Sequence, residues 1–258
     1  MSTTATRISF LQILRGEILK TRRTRGLLLA IIGPLVVTML VFAFHVENPP
    51  ENVQEMSPWK NFIRYVFQFF MLLYPLFAAL IAFMLSNIEH KNRGFKYIFA
   101  LPASKGAFYF SKVLVLLGWL ALSLALSYVF IFIFGELLSV LLPNFAFAEN
   151  SIPAETVLFL FRMFTILISI VAIHFFLSLY FDNFIIGVGS AVFLMIFGGV
   201  AANHRLAYLI PYTYPMDAYM GFMTGEIQAF DQRTLISLIY GVVFFVAGFW
   251  LVSRKNIK

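Results

Sequence analysis

A basic segment between two long apolar runs, residues 86–112, holds the side chains best suited to binding a partner. It reads SNIEHKNRGFKYIFALPASKGAFYFSK and places aromatic side chains beside lysines and arginines. An apolar surface surrounded by positive charge is suited to docking in a cleft of a soluble protein. The alternative interpretation is an ordinary loop whose charge only sets the orientation of the chain in a membrane.

The basic segment has the pattern of a short helix, a break and a second helix. Pro102 should end the first helix, because proline cannot sit beyond the first turn of a continuing helix. Ser104 can cap the second helix, and Lys112 marks the point where that helix enters the membrane. The residues that we assign to docking are Glu89, Phe95, Lys96, Phe99, Leu101, Pro102, Ser104 and Lys105.

Catalytic and nucleotide-binding motifs are missing from the sequence. It contains no G-x-x-x-x-G-K-[ST] phosphate loop, no H-E-x-x-H zinc motif and no G-x-S-x-G nucleophile motif. Cysteine is absent, which excludes disulfides and cysteine-ligated metals. An intramembrane protease would need paired acids or histidines at helical spacing, whereas Glu89 stands alone beside His90. We therefore expect no catalytic site and no metal or cofactor bound by this chain.

The composition is that of a membrane protein. Of the 258 residues, 61% are hydrophobic and 12% are charged, whereas soluble domains carry about 25% charged residues. Six segments have the roughly 20 apolar residues that a spanning helix needs, and only helices satisfy their own backbone in lipid over such lengths. The sequence thus predicts an all-α integral membrane fold with six spans: Leu27–Phe44, Phe62–Leu85, Val113–Phe134, Val157–Tyr180, Phe184–Ala202 and Leu235–Val252.

The distribution of charge predicts the orientation of these spans. If the N-terminus is cytoplasmic, 14 of the 19 Lys and Arg residues and only 3 of the 12 acidic residues lie inside. The two sides then carry net charges of +11 and −4, as the positive-inside rule requires. We expect one transmembrane domain over residues 1–258 with both termini cytoplasmic: an interfacial segment at 1–26, the six-helix bundle at 27–252 and a tail at 253–258.

The N-terminal stretch Ile8–Lys20 is predicted to form an amphipathic helix in the inner membrane interface. Most of its apolar residues fall on one side of a helical wheel, whereas Glu17 falls on the polar side and Ile13 breaks the pattern. A basic cluster follows, where anionic lipid would meet it. The alternative is a disordered basic tail that only sets topology. The residues assigned to this element are Arg15, Glu17, Lys20, Arg22 and Arg23.

Small residues share one helical face of the fifth predicted span. Such a face lets helices approach closely, either at a subunit interface or within the bundle, and we favour the second. These packing residues are Gly187, Ala191, Gly198 and Ala202.

Two polar residues lie inside the fourth predicted span. We expect Arg162 to extend to the outer headgroups, towards Glu155 or Glu136, the alternative being a functional intramembrane charge. We expect His174 to be a hydrogen-bonded packing residue, the alternative being a group that titrates in a transport pathway.

The basic segment resembles the first cytoplasmic loop of ABC-transporter permeases of the type-2 exporter class. It is most similar to the branch linked to lantibiotic immunity and bacitracin resistance. A basic N-terminal helix, six spans and a short turn before span five extend the resemblance over nearly the whole chain. The residues that carry it are Glu89, Phe95-Lys96, Leu101-Pro102-x-Ser104-Lys105, Lys112, Glu17, Lys20 and the Pro-Tyr-Thr-Tyr-Pro stretch that begins at Pro211.

The resemblance implies a plasma-membrane exporter subunit that has no ATPase site of its own. A separate ABC ATPase subunit would bind ATP and Mg on the cytoplasmic side, and a second copy or a paralogue would complete the transport route. The implied substrate is an amphiphile, with antimicrobial peptides as the leading class. Membrane lipid is the remaining expected partner, and nucleic acid is not one. The alternatives are a non-transporting sensor or scaffold subunit and a secondary transporter, which usually carries more charge near the membrane midplane.

Overall fold

The computed structural model describes residues 8–22, 24–49, 57–91, 104–143, 152–181 and 183–254. Every regular element in these ranges is helical, in agreement with the predicted all-α fold. Short 3-10 turns at Ala207–Leu209 and Pro211–Thr213 precede the seventh α-helix. The α-helices of these ranges are α1 (Phe10–Thr21), α2 (Arg25–Glu47), α3 (Pro58–Lys91), α4 (Lys105–Leu141), α5 (Glu155–Tyr180), α6 (Phe184–Ala201), α7 (Tyr214–Thr224) and α8 (Gln232–Arg254).

Five helices are long and apolar enough to cross a membrane, namely α2, α3, α4, α5 and α8. They contain five of the six predicted spans. The remaining predicted span, Phe184–Ala202, corresponds to α6, which is shorter. The 18 residues of α6 extend about 27 Å at 1.5 Å per residue, slightly less than the thickness of a bilayer core, about 30 Å.

Local side-chain caps explain where several helices begin. Ser9 and Gln12 form a capping box at the start of α1, in which the Ser9 amide donates to Gln12 Oε1 at 2.9 Å. Asn183 Oδ1 accepts from the Ile185 amide at 2.9 Å at the start of α6. The helix that contains the third predicted span extends beyond it at both ends, because α4 runs from Lys105 to Leu141. Hydropathy marks the lipid-facing part of a helix and not its polar ends.

Buried aromatic and hydroxyl side chains join the long helices. The rings of Phe67 in α3 and Phe159 in α5 stack with centroids 3.7 Å apart. The Tyr74 hydroxyl lies 2.5 Å from Ser127 Oγ in α4. Near the other end of α3, Ser178 Oγ donates to Ser86 Oγ at 2.6 Å. In each case α3 is one of the partners, so this helix forms the centre of the bundle.

The small residues of α6 face other parts of the same chain. A methyl group at Gly187 would come within 2.5 Å of the Phe83 ring in α3, and one at Gly198 within 2.6 Å of Tyr212 Cβ. Ala191 lies between them and is buried, whereas Ala202, just beyond α6, is half-buried. Close packing of α6 therefore depends on the absence of side chains at two positions.

Substituting Gly187 should destabilise the bundle, because a side chain there meets an aromatic ring inside a packed interface. We expect Gly187→Val to cost about 1–3 kcal/mol of unfolding free energy, measured by thermal unfolding in lipid nanodiscs. Gly189→Val is the matched control, since nothing lies within 4 Å of that position. Equal losses for the two variants would show that the α6–α3 contact contributes nothing specific.

Candidate coupling site

The basic segment, residues 86–112, which we now call the docking segment, contains the ends of two helices that the structure describes. On one side α3 continues to Lys91. On the other side α4 begins at Lys105, after Ser104 Oγ accepts from the Ala107 amide at 3.1 Å, so the predicted cap is present. Glu89 lies in α3, but its side chain is outside the described set. Residues 92–103 are also outside it, with Phe95, Lys96, Phe99, Leu101 and Pro102 among them.

A buried ion pair fastens α1 to α4. Lys112 Nζ lies 3.2 Å from Glu17 Oε2, and the Glu17 side chain is only 3% exposed. Lys20 Nζ lies 2.7 Å from the other oxygen of the same carboxylate and is more exposed. Glu17 thus balances one buried and one peripheral lysine. Two residues that the sequence assigned to separate elements, Glu17 and Lys112, meet here.

The face of α1 that packs against the bundle differs from the apolar face of its helical wheel. The buried residues are Ile13, Glu17 and Thr21, spaced four apart along one side of the helix. On the helical wheel Ile13 broke the apolar pattern and Glu17 fell on the polar side. The apolar residues Leu11 and Leu19 are 73% and 58% exposed, so they point away from the bundle. Arg15 and Arg22 are also exposed, and Arg23 lies outside the described residues.

The first turns of α4 are bound to the C-terminal end of α8. Lys105 Nζ donates to the Ser253 carbonyl at 3.0 Å, where the last carbonyls of a helix lack partners within it. One turn further on, the Tyr109 hydroxyl donates to the Phe245 carbonyl at 2.8 Å. Gly248 permits this approach, because a methyl group there would collide with the Tyr109 hydroxyl.

These contacts define one end of the bundle, which we call the basic end. It contains α1, the C-terminal ends of α3 and α8, and the first turns of α4. The two described ends of the chain therefore lie at the same end of the molecule. Lys105, Tyr109 and Lys112 recur every three or four residues, so three contacts hold α4 to α8 and α1. A force on residues 92–103 would reach both helices through α4.

A second charged cluster lies at the opposite end, and there the sequence-based expectation was wrong. Arg162 does not extend to headgroups or to Glu155 or Glu136, and is 4% exposed. Its Nη2 lies 2.6 Å from Asp217 Oδ2 and 2.7 Å from Asp231 Oδ2. Arg233 forms an ion pair with the other oxygen of Asp217. A buried guanidinium needs such partners, since burial strips it of water.

This cluster holds a folded hairpin, which we define as residues 203–231, against the bundle. Tyr212 and Tyr214 are 7% and 0% exposed. The Tyr212 hydroxyl lies 2.5 Å from His174 Nε2, so His174 is the buried, hydrogen-bonded residue that was predicted. Burial raises the pKa of Tyr212, and the hydroxyl therefore stays protonated near neutral pH. No sequence signal singled out Asp217 and Asp231 from the other acids on that side.

The Glu17–Lys112 pair should couple α1 to α4 energetically. In a double-mutant cycle of Glu17→Gln and Lys112→Met we expect a coupling energy of about 1–3 kcal/mol, because both side chains are almost fully buried. Thermal unfolding in nanodiscs measures it. Lys20→Met is the control, and its coupling to Glu17 should stay below about 1 kcal/mol because Lys20 is partly solvated. Similar coupling energies of Glu17 with Lys112 and with Lys20 would show that the buried pair does not specifically join α1 to α4.

Removing the charge of Arg162 should release the hairpin. We expect Arg162→Met to lower the unfolding free energy by about 2 kcal/mol, less than for a fully buried pair because both aspartates are partly exposed. Arg162→Lys should restore only part of the loss, because one ammonium group cannot replace a planar guanidinium between two carboxylates. Protease cleavage within residues 203–231 should increase in parallel. Substitution of the exposed Arg205 by methionine is the control. If Arg205→Met has the same effect as Arg162→Met, Arg162 does not hold the hairpin specifically.

Comparison with known proteins identifies the family. The sequence profile described as "ABC-2 family transporter protein" matches residues 13–198. The match begins in α1, ends in α6 and includes the whole docking segment. No curated protein matches the chain at a significant level. The chain is a multi-pass membrane protein that belongs to the ABC-2 family of transporter proteins, so it is a transmembrane subunit whose family membership implies an ABC ATPase partner.

Proposed function

We propose that the chain is the membrane subunit of an ATP-driven exporter that receives mechanical work at its basic end. The proposal rests on three side-chain contacts that join the first turns of α4 to α1 and α8. A docking segment needs a rigid connection to the spans if movement of a partner is to reach them. Lys105, Tyr109 and Lys112 provide such a connection directly after residues 92–103.

The basic end faces the cytoplasm in this proposal, where an ABC ATPase hydrolyses ATP with Mg. Positive charge in short loops favours the cytoplasmic side of a membrane, and the described residues of this end include Arg15, Lys20, Lys105, Lys112 and Arg254. With α6 as a shorter sixth span, both termini lie inside the cell. The exposed apolar face of α1 then rests in the inner leaflet of the plasma membrane.

Two membrane subunits, identical or paralogous, enclose the transport route. Closure of the ATPase pair on ATP moves the docking segments, and α4 transmits that movement to α1 and α8. The substrate is an amphiphile, and the resemblance to the lantibiotic-immunity and bacitracin-resistance branch favours an antimicrobial peptide. Removal of such a peptide from the membrane would protect the cell.

The test of docking is copurification with the ABC ATPase that associates with the wild-type chain. The triple substitution Phe95→Ala, Lys96→Ala and Leu101→Ala should abolish copurification, because it removes both the apolar contact and a charge. Membrane insertion should be unchanged. The matched control is Phe230→Ala, Arg205→Ala and Leu209→Ala, which alters three exposed residues of the same types in the hairpin. Retained copurification and transport in the docking variant would refute the proposal.

A sensor or scaffold subunit would also dock an ATPase. Reconstitution in proteoliposomes separates the two functions. An exporter should lower the vesicle-bound amount of a fluorescent amphiphilic peptide only when ATP and the ATPase are present. ATP hydrolysis without any such movement of peptides would instead favour the sensor.

A further inference from the structure

A groove between α2 and α3 opens on the outer surface of the bundle. It is separate from the Glu17–Lys112 pair and from the charged cluster around Arg162. Its volume is about 380 Å³, within the range of small-ligand sites. It lies in a part of the chain that should face lipid acyl chains. The groove is lined by Leu40, Val41, Phe44, Tyr65, Gln68, Phe69, Met71 and Leu72.

One side chain of the groove is out of place in hydrocarbon. Gln68 lies three turns inside α3, about 15 Å along the helix axis from Pro58, and it is exposed. Within the described ranges its amide makes no hydrogen bond. Gln68 belongs to a helix that is long and apolar enough to span a membrane, and an amide without a hydrogen-bond partner is unfavourable in lipid. The groove therefore offers a polar group that requires a partner from outside.

Positive charge lies directly above this amide. Lys60, Arg64 and Gln68 are four residues apart, so they follow one face of α3. The Arg64 guanidinium lies over the Tyr65 ring, 4.9 Å from its centroid, and Tyr65 is part of the groove wall. The charge of Arg64 is thus held at the rim of the groove. Neither cation has an acidic partner among the residues that the structure describes.

We propose that this groove binds an anionic membrane phospholipid. One acyl chain occupies the apolar groove, the Gln68 amide donates to an ester carbonyl, and the phosphate lies at Arg64 and Lys60. Charge-assisted hydrogen bonds from arginine to phosphate are among the strong ones. The site is separate from the docking segment, and it does not depend on which substrate is exported.

A second copy of the chain fits this surface less well. Twofold packing of the groove on itself would bring the Lys60 and Arg64 side chains of both copies together, and like charges across an interface oppose association. A cationic peptide would meet the same repulsion. A phospholipid supplies the opposite charge, a carbonyl acceptor and an apolar chain in the order in which the groove presents its groups.

The test uses the purified full-length chain in phosphatidylcholine nanodiscs with a photoactivatable phosphatidylglycerol as the probe. Crosslinks should map to α2 and α3 around Gln68. Arg64→Gln should weaken phosphatidylglycerol binding about ten-fold, the loss expected for one charge-assisted contact, with little change for a phosphatidylcholine probe. Arg64→Lys should keep most of the selectivity. Gln68→Leu should weaken both probes, and Arg205→Gln should change neither.

Several outcomes would overturn the inference. If Arg64→Gln and Arg205→Gln weaken phosphatidylglycerol binding equally, the preference for this lipid comes from general surface charge and not from the groove. Competition by soluble glycerol 3-phosphate would assign the site to a free anion. Dissociation of a dimer by Gln68→Leu, with lipid binding unchanged, would make the groove a subunit interface. If Gln68→Leu does not accumulate in folded form, Leu72→Trp is used instead. Leu72 is 48% exposed, so a tryptophan side chain at this position should fill the groove. Unchanged lipid labelling of Leu72→Trp would refute the site.

Discussion

Lipid surrounds most of this chain, and that solvent removes the usual force between helices. Acyl chains are as apolar as leucine, so burying one helix against another gains little hydrophobic free energy. Association then depends on close approach and on polar contacts. Both are present: Gly187 lets α6 reach Phe83, and the Tyr74 hydroxyl bonds α3 to α4. A bundle of this kind is sensitive to single atoms at a few contacts.

The charged groups of the described residues are concentrated at the two ends of the bundle, and at each end a buried cation has a carboxylate partner. At the basic end Lys112 meets Glu17, which joins the N-terminal helix to a span. At the opposite end Arg162 holds two aspartates and thereby the hairpin. Buried charges are tolerated only when paired. Glu17–Lys112 joins α1 to α4, and hydrogen bonds from Lys105 and Tyr109 join α4 to α8 at the same end. At the other end the Arg162 cluster joins α7 to α5 and α8.

Much of the fold could be predicted because its signals are local. Apolar runs located all of the long spanning helices, and side-chain chemistry located the cap at Ser104. Predictions failed where a residue depended on a distant partner. Arg162 was assigned to the nearest acids in the sequence, whereas its partners lie 55 and 69 residues away. Glu17 was assigned to the polar side of a helical wheel, which carries no knowledge of its partner on α4.

The sequence by itself determined the solvent, the helical class and the sign of charge at each end, since hydropathy, backbone satisfaction and charge are properties of short stretches. The tertiary structure alone decided which carboxylate meets which cation and that two hairpin tyrosines are buried. It also decided that Gln68 faces outward in a groove beneath Arg64. Those facts are set by the relative rotation and position of helices, and such geometry follows from contacts between residues far apart along the chain.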